Sequence, residues 1–149
     1  MTVSAVRKVK TGMATWGRHL IVLATTVFLV SLGTGMLGGV STNFMVDELG
    51  LSGKQVLWNA GIREIPGLVL MGIAALIMHW PLSRRAALSL VLMGIGYALY
   101  ATVHSFTGLI AVALIGSLGF HNWLPLQSSL GLALSEERDS GRVLGALTS

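Results

Sequence analysis

TGLIAVALIGSLGFHNWLPLQSSLGLAL, residues 107–134, contains no Asp, Glu, Lys or Arg. A hydrocarbon core ~30 Å thick takes about 20 residues of helix, and ~18 apolar residues already make a span candidate. Three further long apolar runs occur, His19–Ser41, Val56–Met78 and Ala86–Val103, of which only the second holds charges, Arg63 and Glu64. Short polar segments separate them and carry nearly all the Lys and Arg. The pattern predicts an all-α, polytopic membrane protein with four spans over about 19–41, 56–78, 86–103 and 107–134. The apolar Val143-Leu144-Gly145-Ala146-Leu147 predicts the start of a fifth helix near residue 143.

Composition supports lipid as the solvent. Of 149 residues, 53% are hydrophobic and 11% charged, where soluble domains carry roughly 25% charge. The net charge of +4 forms no continuous basic face, so no nucleic-acid partner is expected. The first run is longer than the ~7–15 residues of a signal-peptide core, so it reads as a retained span. There is no cysteine, hence no disulfide framework, thiolate nucleophile or cysteine metal site. No zincin, nucleophile-elbow or phosphate-loop motif occurs, and the four histidines are scattered. Neither an enzyme nor a metal or cofactor site is expected.

The basic residues instead predict orientation, because Lys and Arg accumulate on the cytoplasmic side. Arg7, Lys8, Lys10, Arg18, Arg84, Arg85, Arg138 and Arg142 fall on one side, and only Lys54 and Arg63 on the other. The N-terminus is therefore expected in the cytoplasm, with the loops around Glu48 and His104 outside. Ser52 with Gln55 has the spacing of a helix-starting capping box. Pro81 is expected to end the second helix and Arg84-Arg85 to fill a tight connection.

Several motifs admit two readings. Gly33-Thr34-Gly35-Met36-Leu37-Gly38 spells a dinucleotide fingerprint, which requires a strand before it and a helix opening at it. Within an apolar run it reads as a small-residue face instead, with Gly35 and Gly39 spaced for close helix approach. Gly72, Gly94 and Gly96 offer further small contacts. In the second run, Asn59 and Arg63 share a helix face, and Glu64 follows directly. These charges either face a cavity or partner, or sit in the outer headgroup layer. Pro66 is placed to kink that helix. In the fourth run, Ser117, His121 and Ser128 fall near one stripe, with Asn122 beside it and Gln127 further round. Polar groups at that depth must find partners. They either line a cavity, with His121 able to titrate, or join helices by hydrogen bonds worth ~0.6 kcal/mol each.

The glycine-rich first run, Glu48-Leu49-Gly50-Leu51-Ser52 leading into the second, the Arg84-Arg85 connection, the very short third connection and Glu137–Gly145 together resemble the N-terminal half of a major facilitator superfamily transporter. The resemblance spans essentially the whole chain, from the basic N-terminus to the opening of helix five. Of that family's loop motif between helices two and three, only the final basic pair is matched: Trp80 stands at the Asp position, Pro81 at the next basic one and Ser83 at the Gly. The Arg-x-x-x-Gly motif of helix four is missing. The resemblance thus implies architecture rather than coupling chemistry.

It implies a secondary transporter that moves a small solute by alternating access across a plasma or inner membrane. Helices one and four would line the cavity and helix three would face lipid. The site would lie near the midplane between two six-helix halves, so the chain would need a missing C-terminal remainder. His121, Asn122 and Gln127 are the leading substrate-cavity candidates, with Arg63, Glu64 and Asn59 behind them. Arg84, Arg85, Arg138 and Arg142 are candidates for a cytoplasmic gate. Two other readings stand beside this one: a complete small four-helix membrane protein acting as an interaction or assembly subunit, and an intramembrane enzyme using His121 and Glu64.

Overall fold

The structure, a computed structural model, describes residues 16–148; the basic lead-in of Arg7, Lys8 and Lys10 lies outside them. Every element among the described residues is helical. Helix α1 is Arg18–Asn43 and continues through a wider turn, Phe44–Glu48. Helices α2, Gly53–Arg63, and α3, Ile65–Leu76, follow. Helix α4 is Leu82–Leu99, tightened at its end over Tyr100–Thr102. Helix α5 is Phe106–Leu134 and α6 is Ser140–Thr148. Four stretches are long and apolar enough to cross a membrane: Arg18–Glu48, Gly53–Leu76, Leu82–Thr102 and Phe106–Leu134.

The outer faces of these helices are apolar. Leu68 is 77% exposed and Leu57 and Leu76 are each 75% exposed, with Phe28 and Met36 likewise uncovered. Apolar area of this extent is unfavourable in water and costs nothing in hydrocarbon. Burial is concentrated on the fourth span, where half of the most apolar stretch is covered, against 12% for the second.

The chain divides into two compact units. One comprises residues 34–127. Within it, α4 and α5 touch backbone to backbone. A Cβ at Gly96 would collide with Gly116 N and Cα, and one at Gly119 with Met93 N and the Ser89 carbonyl. Close approach of this kind supplies packing where no hydrophobic driving force separates helix from lipid. At one end of the unit, Met45, Leu51, Val103, Leu109 and Val112 form a buried cluster, with the Phe44 and Tyr100 rings tilted together at 6.4 Å. This cluster explains why the first helix outruns its expected end at Ser41: Phe44 and Met45 are apolar anchors that carry it on to Glu48. Gly50 then ends it in the left-handed conformation, φ +62°, which costs glycine little, and the Leu51 N–H closes on the Met45 carbonyl at 2.9 Å.

The capping box is present. Ser52 Oγ accepts the Gln55 N–H, and Gln55 Oε1 accepts the Ser52 N–H at 2.9 Å. Ser52→Ala is expected to destabilise the protein by about 1 kcal/mol and to speed amide exchange over residues 53–55. Lys54→Ala, at an exposed neighbour, should do neither. Pro81 does close the second connection, as the cap of α4, with the Arg84 and Arg85 N–H groups on its carbonyl at 3.0 and 3.2 Å. Arg84 and Arg85 therefore lie in the first turn of α4, not in the connection itself.

The other unit comprises residues 16–33 and 128–148 among those described. Here the end of α5 packs on α6 through Gly131, whose Cβ position is 2.8 Å from Leu147 Cδ1. Val143 and Leu147 are buried. The fifth helix begins at Ser140, three residues before its apolar face. In the connection, Ser140 Oγ donates to the Glu136 carbonyl at 3.1 Å.

Candidate functional site

The second span is broken near its middle. Glu64 separates α2 from α3, two residues before Pro66. A proline has no N–H to return to the carbonyl four residues back, and its ring crowds that carbonyl. The Glu64 N–H instead turns back to the Gly61 carbonyl at 3.2 Å. The Ser117 hydroxyl of α5 donates to the Arg63 carbonyl at the break. In lipid a neighbouring helix must supply such partners, since no water does. Because α2 starts at Gly53, earlier than the expected Val56, Arg63 closes a helix of 11 residues. At ~1.5 Å per residue it lies about 15 Å along the helix.

The two consecutive charges at the break then diverge. Glu64 Oε2 lies 3.4 Å from Nε2 of His121 on α5. The imidazole rests on Gly67, where an added Cβ would sit 3.2–3.3 Å from the ring. This is the room that a larger residue would take from it. A protonated His121 and an ionised Glu64 would form an ion pair linking α5 to the break, and a neutral pair would retain at most a hydrogen bond. Arg63 goes the other way. It lines a cavity of about 190 Å³ with Thr34 and Ser41 of α1, Tyr97 and Tyr100 of the third span, and Ser117 and Phe120 of α5. Among the described residues no carboxylate lies within ion-pair distance of its guanidinium.

Of the residues singled out in sequence, the structure brings Arg63, Glu64 and His121 to the break and places the others elsewhere. Asn122 is buried, and its Nδ2 donates to Ser89 Oγ of α4 at 2.7 Å, which donates in turn to the Arg85 carbonyl at 2.7 Å. That is an interhelical hydrogen-bond chain. Asn59 is also buried, with Nδ2 3.4 Å from Met45 Sδ and Oδ1 without a partner. Gln127 is half-buried. None of these three lines the Arg63 cavity. Of the four arginines proposed for a gate, Arg84, Arg138 and Arg142 are exposed and Arg85 is half-buried. No ion pair joins any of them to an acid among the described residues.

Tyr97 and Tyr100 were not anticipated. They are the chain's two tyrosines, and three residues apart on a helix they share a face. That spacing, in a run with almost no other polar side chain, was the available signal. It also revises the third helix. Far from presenting only lipid-facing surface, it buries Ser89, Met93 and Gly96 against α5. The glycines singled out on the first helix behave in the opposite way: Gly33, Gly35, Gly38 and Gly39 lie inside α1 and meet nothing within 4 Å at the Cβ position. A dinucleotide turn at the mouth of a strand is therefore absent at this motif, and its small-residue face is open. Gly72 and Gly94 are open in the same way.

No group of three His, Cys, Asp or Glu converges among the described residues. Comparison with protein-family models, with curated proteins and with solved structures finds no match for this chain.

Proposed function

We propose that this chain is the N-terminal part of a secondary transporter of the major facilitator type, moving a small solute by alternating access across a plasma or inner membrane, N-terminus in the cytoplasm. The single observation that carries the reading is the cavity beside a broken spanning helix. Transporter sites are typically built at discontinuous helices near the bilayer midplane, and here the break, a cationic side chain and a small cavity coincide at mid-span. The helix pattern supports the same reading, and so does the distribution of Lys and Arg, eight on one side against Lys54 on the other once Arg63 is assigned to the site. Residues Arg63 and Tyr97 act on the solute, Ser117 holds the carbonyl at the break, and the Glu64–His121 pair sets the position of α5 against it. On this reading a C-terminal remainder supplies the opposing wall.

The test is transport by the full reading frame that carries this chain, assayed in oriented membrane vesicles against a panel of labelled small solutes. One solute should accumulate saturably. Arg63→Ala and His121→Ala should reduce the initial rate by about tenfold or more, as loss of a charged contact does, while Lys54→Ala should leave it unchanged. A correctly inserted protein that moves no solute would overturn the reading, and equal losses at Lys54 and Arg63 would overturn only the assignment of Arg63 to the solute.

A second reading has one observation in its favour. The open glycine face of α1 suits a partner helix, as an interaction or assembly subunit would require. Cross-linking from cysteines placed at Gly35 and Gly39 separates the two, since an assembly subunit yields a hetero-adduct with a distinct protein and a transporter yields adducts within its own chain.

A further inference from the structure

We infer that the Arg63 cavity binds a small organic anion, a carboxylate whose planar or apolar body lies against Tyr97, Tyr100 and Phe120. The inference depends on the transport reading only for calling this ligand a substrate; the binding site is argued from its own chemistry. Arg63 is exposed, and its guanidinium is a permanent cation with a fork of donors. Ionisable groups inside a span pair with a partner or face a cavity that holds one. The adjacent acid is not that partner, because Glu64 is directed to His121 at 3.4 Å. No other carboxylate among the described residues lies within ion-pair distance of Arg63. What remains opposite Arg63 is the cavity itself, lined by hydroxyls and rings.

The ligand class follows from complementarity. The guanidinium fork matches a carboxylate through two parallel hydrogen bonds. The hydroxyls of Tyr97 and Tyr100, which line the same cavity, can donate to the same anion or to a polar substituent. The two tyrosine rings and Phe120 offer apolar surface to the body of the molecule. A cationic solute would meet Arg63 with like charge.

The full-length protein in lipid nanodiscs is titrated with radiolabelled benzoate by equilibrium dialysis, with benzamide and benzylamine as neutral and cationic competitors of the same shape. Benzoate should bind saturably and be displaced by unlabelled benzoate about tenfold or more better than by either competitor. Arg63→Gln should weaken binding about tenfold or more, Arg63→Lys should restore part of it, and Lys54→Gln should leave it unchanged. Circular dichroism and elution volume identify variants that have folded; if Arg63→Gln has not, the competitor order in the unaltered protein decides. Absence of saturable benzoate binding, displacement by benzamide as effective as by benzoate, or full binding in a folded Arg63→Gln overturns the inference. Transport of a solute with no dependence on Arg63 sinks the anion site and leaves the transport reading. Arg63-dependent benzoate binding without any transport does the reverse.

Discussion

Gly96→Ala and Gly119→Ala are each expected to destabilise the purified protein by about 1–3 kcal/mol, the usual range for forcing an extra carbon into a packed contact. The reason is what the new methyl group meets. At Gly96 it runs into the backbone of Gly116, and at Gly119 into the backbone of Met93 and the Ser89 carbonyl. A flexible side chain could swing aside, but a helix backbone moves only if α4 and α5 separate. Separation would also strain the neighbouring Asn122–Ser89 bond. Gly35→Ala and Gly39→Ala are the matched controls, since the same methyl finds open space there and alanine is the better helix former. Thermal midpoints in one detergent should fall for the first pair and hold for the second. Equal losses in both pairs would show that the contact between α4 and α5 is not where the helices are held together.

Ser89→Ala is expected to cost about 1–3 kcal/mol, because it leaves the buried Asn122 amide without its partner. Asn122→Ala should cost less, as Ser89 keeps its bond to the Arg85 carbonyl at 2.7 Å. The coupling between the two in a double-mutant cycle should be about 0.6 kcal/mol and no more than ~1.7, the span seen for hydrogen bonds between membrane helices. This measurement also decides between the two readings that the fourth run allowed. If Asn122 serves the solute directly, Ser89→Ala leaves stability untouched and only transport falls. If Asn122 joins α5 to α4, stability falls with either substitution and the losses are not additive.

Much of the architecture was legible in the chain because span length and apolar content are local properties. The four helical stretches long and apolar enough to cross a membrane lie within a few residues of the expected bounds, the end of the first apart. The capping box at Ser52 and Gln55 and the helix stop at Pro81 were readable from side chains that act on their own neighbours. The one sizeable misplacement, the end of α1, arose from packing: Phe44 and Met45 extend the helix because Tyr100 and Leu109 lie against them, and neither is near in sequence. The glycines show the same limit. G-x-x-x-G spacing at Gly35 and Gly39 marks a face but does not name what covers it, and the close contact formed at Gly96, Gly116 and Gly119 instead.

The sequence by itself determined the helical class, the four stretches long and apolar enough to cross a membrane among the described residues, and where the chain turns, because each follows from hydrophobic length, proline and caps acting over a few residues. It also marked Arg63 and Glu64 as charges that face a cavity or partner or sit in the headgroup layer, and His121 as a polar group of the fourth run. Only the tertiary structure decided what each of them meets. Helix rotation sends Glu64 to His121 and Arg63 to a cavity, brings Ser117 to the carbonyl at the break, and turns two tyrosines of an otherwise plain helix towards the same space. Those outcomes depend on which faces of different helices meet, and that depends on contacts between residues as far apart as Arg63 and Ser117, which no local pattern encodes.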